Sequence, residues 1–362
     1  MVRCVSGLRR TPAGARNHRQ GTALLGMHMA TLPAALTAAQ TAGGERRAGI
    51  LAVGSCLPQG TLTNADLEAM VDTSDTWIME RTGIRLRHRA TAGETTSEMG
   101  VTAARRALER AGNPRVDVLV VATVTPDTLF PSTACLIQRR LGLDGIPAFD
   151  VNAACSGFLY GVTVCEALIR AGVAERALLV AADSMTSLVD WEDRATCVLF
   201  GDGAGAAVLG SVAEGGIAAR RLGADGSHGH LIYYGPKVDE PEGRDRLRMA
   251  GKGTFRLAVE RFCDITAQVC SDAGWKVSDI DHFVPHQANL RIIEAAAKRL
   301  GLPMERVVLN VEETGNTSGA SIPLALADAD AKGRLKPGDR MVAAAFGAGV
   351  TWGGLAWEWG GG

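Results

Sequence analysis

The chain has 362 residues, with 38 lysines and arginines against 39 aspartates and glutamates, so no charge excess points to nucleic acid or to an anionic membrane. That length buries a large core and accommodates two structural units. Its eight cysteines form no CxxC pair and no paired-ligand spacing, which argues against a metal site and reads as small buried hydrophobes in a reducing, cytoplasmic setting.

Residues 1–47 differ from the rest, with seven arginines, no acid before Glu45 and an interrupted apolar patch, ALLGMHMATLPAAL. They read as a disordered extension or an overlong start with Met27 or Met29 as the true one. Organelle targeting is the lesser alternative, because transit peptides are rich in serine and Ser6 stands alone here. Beyond them no apolar run is long enough for a membrane span.

From Arg47 onward short apolar strands alternate with alanine-rich helices. The pattern predicts helix over 97–112, strand over 116–124, helix over 132–142, strand over 147–151, helix from Cys155 to Gly172, and strands over 176–184 and 204–211. A second series follows: helix 254–274, strand 281–286, helix 289–301, strand 306–311, helix 317–333 and strand 340–346. IQRRLGL matches AAKRLGL, Ser156-Gly157 matches Ser318-Gly319, and VDVLVV matches IDHFVP, at offsets of roughly 159 to 164 residues. The expected fold class is therefore layered α/β built from two duplicated βαβαβ-type halves, 48–215 and 216–362.

Duplication predicts where chemistry gathers. Ligands bind beyond the carboxyl ends of strands in open α/β sheets, and a paired arrangement brings equivalent ends together. Cys155 and Thr317 would occupy matching helix starts, with Asn316 just before the second and His286 ending an earlier strand of the same half. A thiol at a helix N-terminus is favoured as thiolate, the nucleophilic form, without a separate strong base. His286, in PHQAN with no adjacent acid, suits a neutral imidazole that donates to an oxyanion, as an Asn316 amide does. Taken singly, these residues also fit a packed core thiol, a structural histidine and a helix N-cap.

AACSGF, PHQANLRII, GNTSGAS, VDTSDTWIMERTGIR, FGDGAGAAVL and AFGAGVTWG together resemble the β-ketoacyl-acyl carrier protein synthase III family of thiolase-fold condensing enzymes, from about Ala48 to Trp357. The resemblance implies that an acyl group passes from coenzyme A to Cys155, after which malonyl-acyl carrier protein decarboxylates and attacks the thioester, initiating fatty acid synthesis. His286 and Asn316 would stabilise the enolate. Backbone N–H groups of Cys155 and Ala348 would bind the tetrahedral oxyanion, although Ala348 stands where the family pattern has a further glycine, and alanine tolerates positive φ poorly. Trp77, Arg81 and Arg194 match positions holding the adenine and phosphates of coenzyme A, and Phe255 and Asn289 the pantetheine path. Arg291, Lys298 and Arg299 would form a basic patch for the acidic carrier protein. Thr125, Phe130 and Leu188 are candidates for the acyl pocket. The resemblance further implies a homodimer, with Phe130 reaching the partner's pocket, and no cofactor, acyl-CoA being a substrate.

Two rivals share these motifs. A hydrolase or O/N-acyltransferase would use the same acyl-cysteine, and a non-catalytic partner subunit would keep the fold; retention of His286 and Asn316 argues against the first and an intact Cys155 against the second, while a starter condensing enzyme of secondary metabolism stays open beside fatty acid initiation. FGDGAGAAV is a poor dinucleotide fingerprint, since its third glycine falls one residue early for GxGxxG, and close backbone packing explains Gly201, Gly203 and Gly205 better.

Overall fold

The computed structural model describes residues 46–237 and 242–360. All but the last two residues of the expected N-terminal extension lie outside them. The first series runs β1 (Arg47–Cys56), β2 (Gly60–Thr63), α1 (Asn64–Glu68), α2 (Asp75–Thr82), β3 (Leu86–Arg89), α3 (Thr96–Arg110), β4 (Val118–Ala122), α4 (Thr133–Leu141), β5 (Ala148–Val151), α5 (Gly157–Arg170), β6 (Arg176–Ser184) and β7 (Asp202–Val212). The second runs β8 (Gly216–Ala224), β9 (Ile232–Gly235), β10 (Arg246–Met249), α6 (Gly251–Asp272), β11 (His282–Pro285), α7 (Leu290–Leu300), α8 (Val311–Thr314), α9 (Ser321–Ala331), β12 (Arg340–Gly347) and β13 (Thr351–Glu358).

Two mixed sheets repeat one plan. The first has the order β1-β7-β6-β4-β5 and the second β8-β13-β12-β11, with β4 parallel to β6 as β11 is to β12. Asp117 N–H donates to the Arg176 carbonyl at 2.9 Å while its carboxylate accepts from Arg176 N–H at 3.1 Å. Asp281 and Arg340 make the same reciprocal clip, both bonds at 2.9 Å.

This clip sets the register of the duplication and corrects one expectation. Single 3-10 turns at Ala154–Ser156 and Ser318–Ala320 precede α5 and α9. Gly319, not Thr317, is therefore the counterpart of Cys155, and Ser318 matches Ala154; both of those turn-opening residues have positive φ, 53° and 48°. The expected strand 306–311 is also absent. Val307 makes a single parallel bridge to Phe283, and Val308 N–H donates to the Phe283 carbonyl at 2.8 Å, in the place β5 holds in the first sheet. A 3-10 turn ending at Arg306 and α8 beginning at Val311 leave too little chain between them for a ladder.

The central strands β4, β6, β7 and β12 are buried on both faces, which explains their continuous apolar runs. In β4, Val118, Val120 and Ala122 join the cluster of Phe158, Val162, Ile322 and Ala325 from α5 and α9, while Leu119 and Val121 face the cluster of Ala103, Ala107 and Ile137 from α3 and α4. Sheet two turns Ala343, Ala345 and Leu355 to that same central layer and Val342, Ala344 and Ala356 toward Phe262, Ile265 and Ile293 of α6 and α7. The layers are thus α, β, α, β, α, with α5 and α9 in the middle. A Cβ on Gly205 would sit 2.7 Å from Pro323 and one on Gly201 2.4 Å from the Thr314 carbonyl, so the FGDGAG glycines serve close packing of α9 and the Asn316 loop, as the sequence suggested. Among the described residues no helix is long and apolar enough to cross a membrane.

Candidate active site

Cys155, His286 and Asn316 line one cavity of about 1080 Å³ at the ends of β5 and β11 and before α9, as the duplicated plan requires. Cys155 sits in the 3-10 turn, so α5 begins two residues beyond it. Burial pushes its thiol up to about 12, opposed chiefly by the Ser318 side chain, with the Asp183 carboxylate raising it further. Burial thus works against the thiolate that a helix start favours, and the thiol proton needs an acceptor when the sulfur attacks.

His286 is 2 % exposed, and burial lowers its imidazole from 6.5 to about 3, so it is neutral at physiological pH. Its Nδ1 lies 2.7 Å from Ser321 Oγ, and that hydroxyl also accepts a long hydrogen bond, 3.4 Å, from Gln287 N–H. Ser321 can donate to Nδ1 while accepting from Gln287, and in that tautomer the ring N–H sits on Nε2 as a donor. Gln287 itself is consumed structurally, donating to the carbonyls of Pro285 and Val308 at 2.7 and 3.1 Å and accepting from Asn310 and Val311.

Asn316 is clamped at its backbone by Leu199 and Gly201, through bonds of 2.8 and 3.1 Å. Its side-chain oxygen accepts from Ser318 N–H at 2.9 Å. A backbone N–H only donates, so the amide oxygen faces the turn and the NH₂ remains available as a donor. Asn316 is thus a turn-forming residue and not the helix N-cap, and its bond to Ser318 N–H leaves the other end of the amide free to donate.

The glycine loop closes against Cys155. Thr351 Oγ1 donates to the Ala153 carbonyl at 2.9 Å and Ser156 Oγ to the Thr351 carbonyl at 3.2 Å. A Cβ on Gly347 would lie 2.7 Å from Cys155 N, so only glycine admits this approach. The positive φ of the loop, 129°, falls on Gly349 and not on Ala348, which removes the strain expected of that alanine. Gly347→Ala is expected to slow acyl transfer to Cys155 by about 100-fold by pushing the loop off the nucleophile's N–H, whereas Ala348→Gly changes it by less than about threefold; covalent labelling with acetyl-CoA measures both.

Trp77 and Arg81, on α2, and Phe255, Asn289 and Arg291 also line the cavity. Arg194 lies at its edge, its guanidinium 5.2 Å from the Trp77 ring centre, and donates to the Asp72 carbonyl at 2.8 Å. The two are already stacked, so a purine enters between them only if Arg194 swings away. Asn289 caps α7 and donates to the Arg81 carbonyl at 3.0 Å, which makes it a brace for α2 as well as a lining residue. Arg291 stacks on Phe255 at 5.9 Å. Lys298 and Arg299 are exposed in the last turn of α7, outside the cavity lining; Lys298 follows Arg291 by two turns on one helix face. Of the acyl-pocket candidates only Leu188 lines the cavity. Thr125 is tied to Asp183 and Ser184 N–H at 3.3 and 2.8 Å, and Phe130 is 86 % exposed. Sequence reasoning missed Ser318, Ser321, Asp183 and Gly347, although two of them sit inside the quoted GNTSGAS run.

The layered duplication with a cysteine, a neutral histidine and an asparagine in one cavity defines a thiolase-fold condensing enzyme. Family models described as 3-oxoacyl-[acyl-carrier-protein] synthase III, and its C-terminal region, match residues 149–226 and 270–359. A β-ketoacyl-[acyl-carrier-protein] synthase III from Coxiella burnetii is 51% identical over 308 residues, 84% of this chain and 97% of that protein. The solved 3-oxoacyl-(acyl carrier protein) synthase III of Pseudomonas aeruginosa PAO1 superposes with a TM-score of 0.83 at 46% identity, over 87% of this chain and 99% of the other. The priming β-ketosynthase of the R1128 polyketide pathway is 38% identical with a TM-score of 0.84, over 89% of this chain and 99% of that one. The chain belongs to the β-ketoacyl-acyl carrier protein synthase III family of acyltransferases.

Proposed function

We propose that this synthase III joins a short acyl-CoA primer to malonyl-acyl carrier protein with loss of carbon dioxide, initiating fatty acid synthesis. The observation that carries the reading is the meeting, in one desolvated cavity, of a cysteine thiol with two neutral hydrogen-bond donors. Cys155 takes the acyl group and splits the reaction into two easier steps. His286 Nε2–H and the Asn316 NH₂ donate to the thioester oxygen of malonyl-acyl carrier protein as decarboxylation places negative charge on it. Neutral donors stabilise that enolate without protonating it, which leaves its carbon free to attack the acyl-cysteine. The backbone N–H groups of Cys155 and Ala348 receive the tetrahedral oxyanion.

Trp77, Arg81 and Arg194 hold the nucleotide end of coenzyme A, with Phe255 and Asn289 along the pantetheine. Arg291, Lys298 and Arg299 along α7 meet the acidic carrier protein. The protein acts in the cytoplasm as a homodimer of chains divided into halves 48–215 and 216–362, and Phe130, exposed beside Leu129, reaches the partner.

The test uses radiolabelled acetyl-CoA and then malonyl-acyl carrier protein. Label on the protein followed by carbon dioxide release is expected; label without release would move the assignment to an acyltransferase, and no label would sink both. Trp77→Ala is expected to raise KM for acetyl-CoA by roughly tenfold with kcat preserved, since it removes binding away from the reacting atoms.

A further inference from the structure

Asp183, at the end of β6, is fully buried, and the first step leaves its carboxylate without a part. One oxygen, Oδ1, accepts from Val124 N–H at 2.8 Å, Thr123 Oγ1 at 3.1 Å and Thr125 Oγ1 at 3.3 Å. The other, Oδ2, accepts only Gly319 N–H, at 3.1 Å, among the described hydrogen bonds of good geometry. Ser318, the residue before Gly319, is 1 % exposed, lines the same cavity as Cys155 and is held at a φ of 53°. Its hydroxyl has no hydrogen-bond partner in the resting structure, while its side chain tempers the burial that raises both Cys155 and Asp183. A buried hydroxyl without a settled partner is costly, as is the backbone conformation that puts it there. Both costs are accounted for if the hydroxyl must serve two neighbours in turn.

We propose that Ser318 and Asp183 form the proton route that activates Cys155 for acyl transfer. As the sulfur attacks the acyl-CoA carbonyl, the Cys155 S–H proton passes to Ser318 Oγ while the Ser318 proton passes to Asp183 Oδ2. A C–S bond forms to the acyl carbon and the bond to the coenzyme A sulfur breaks. The proton then returns through Ser318 to the departing sulfur, which leaves acyl-Cys155, free coenzyme A as its thiol and Asp183 again as carboxylate. Ser318 touches the reacting atom, and Asp183 acts through it. Burial supports this assignment by raising the Asp183 carboxyl to about 6, which makes it a better proton acceptor than an ordinary aspartate.

The inference rests on Cys155 being the acyl acceptor, so the experiment separates the two. Single-turnover acetylation by labelled acetyl-CoA is measured for wild type, Asp183→Asn, Ser318→Ala and the double variant, together with carbon dioxide release from each protein after it has been acetylated to completion. Members of one route fail as a unit. Both single variants and the double variant are therefore expected to acetylate more slowly by about the same 100-fold factor, with decarboxylation within about threefold of wild type. A carboxylate that merely raises the thiol predicts the opposite sign, faster acetylation in Asp183→Asn, and that result overturns the proposal. So do losses that multiply in the double variant, or decarboxylation that falls in step with acetylation, which mark a scaffold role. Ser318→Ala keeps the carboxylate and its bond to Gly319, so it tests the route even if Asp183→Asn folds poorly. Wild type that takes no label on Cys155 overturns the function reading itself.

Discussion

Cys155→Ala takes no acetyl label and loses condensation by a factor on the order of 10⁴ or more, the scale expected when a covalent nucleophile is removed. The substitution removes only the Sγ atom from a cavity-lining residue in the turn before α5, so the fold and the cavity persist. The residual rate then reports what His286, Asn316 and the backbone donors achieve without a covalent intermediate. Peptide mapping of labelled wild type identifies the acceptor. Six other cysteines are described, of which Cys165, Cys197, Cys263 and Cys270 are buried in the core and Cys56 and Cys135 lie outside the cavity lining. Label on any of them would overturn the assignment of the cavity.

His286→Ala and Asn316→Ala behave differently: each still accepts acetyl within a few-fold of the wild-type rate but releases carbon dioxide from malonyl-acyl carrier protein about 10²- to 10³-fold more slowly, the cost of one oxyanion donor. The sign of the pH dependence follows from burial. Desolvation disfavours the imidazolium and lowers His286 to about 3, so the ring remains a neutral donor as pH falls. Decarboxylation by acetylated enzyme is expected to be flat in its His286 dependence between about pH 5 and pH 8, where an exposed histidine titrates. A fall centred near the ordinary histidine value would show that the ring is not held as described. Equal loss of both half-reactions in either variant would contradict the division between Cys155 and its two donors.

The alternating strands and helices were legible because the central strands β4, β6, β7 and β12 are continuous apolar runs and helices such as α3, α4 and α7 carry their own period. The 306–311 segment shows the limit of such reading: Val307, Val308 and Val311 have strand composition, but Pro303 and the start of α8 decide how much chain is free to pair. The duplication was legible to within two residues. Motif matching aligned Ser156 with Ser318, whereas the reciprocal Asp117–Arg176 and Asp281–Arg340 clips align Ala154 with Ser318.

The sequence by itself determined the residue types of the site, their order and the family to which they belong, because a nucleophile, two neutral donors and a glycine loop must each keep a local context of strand end, turn or helix start. Only the tertiary structure decided their states. Whether Cys155 rests as thiol or thiolate depends on how completely α5, α9 and the glycine loop exclude water from it. Whether His286 is neutral depends on its burial, and which of its nitrogens donates depends on Ser321. Ser318, which lines the same cavity as Cys155, comes from the other half of the chain. Desolvation and the meeting of distant segments are sums over the whole packed molecule, and no window of sequence contains them.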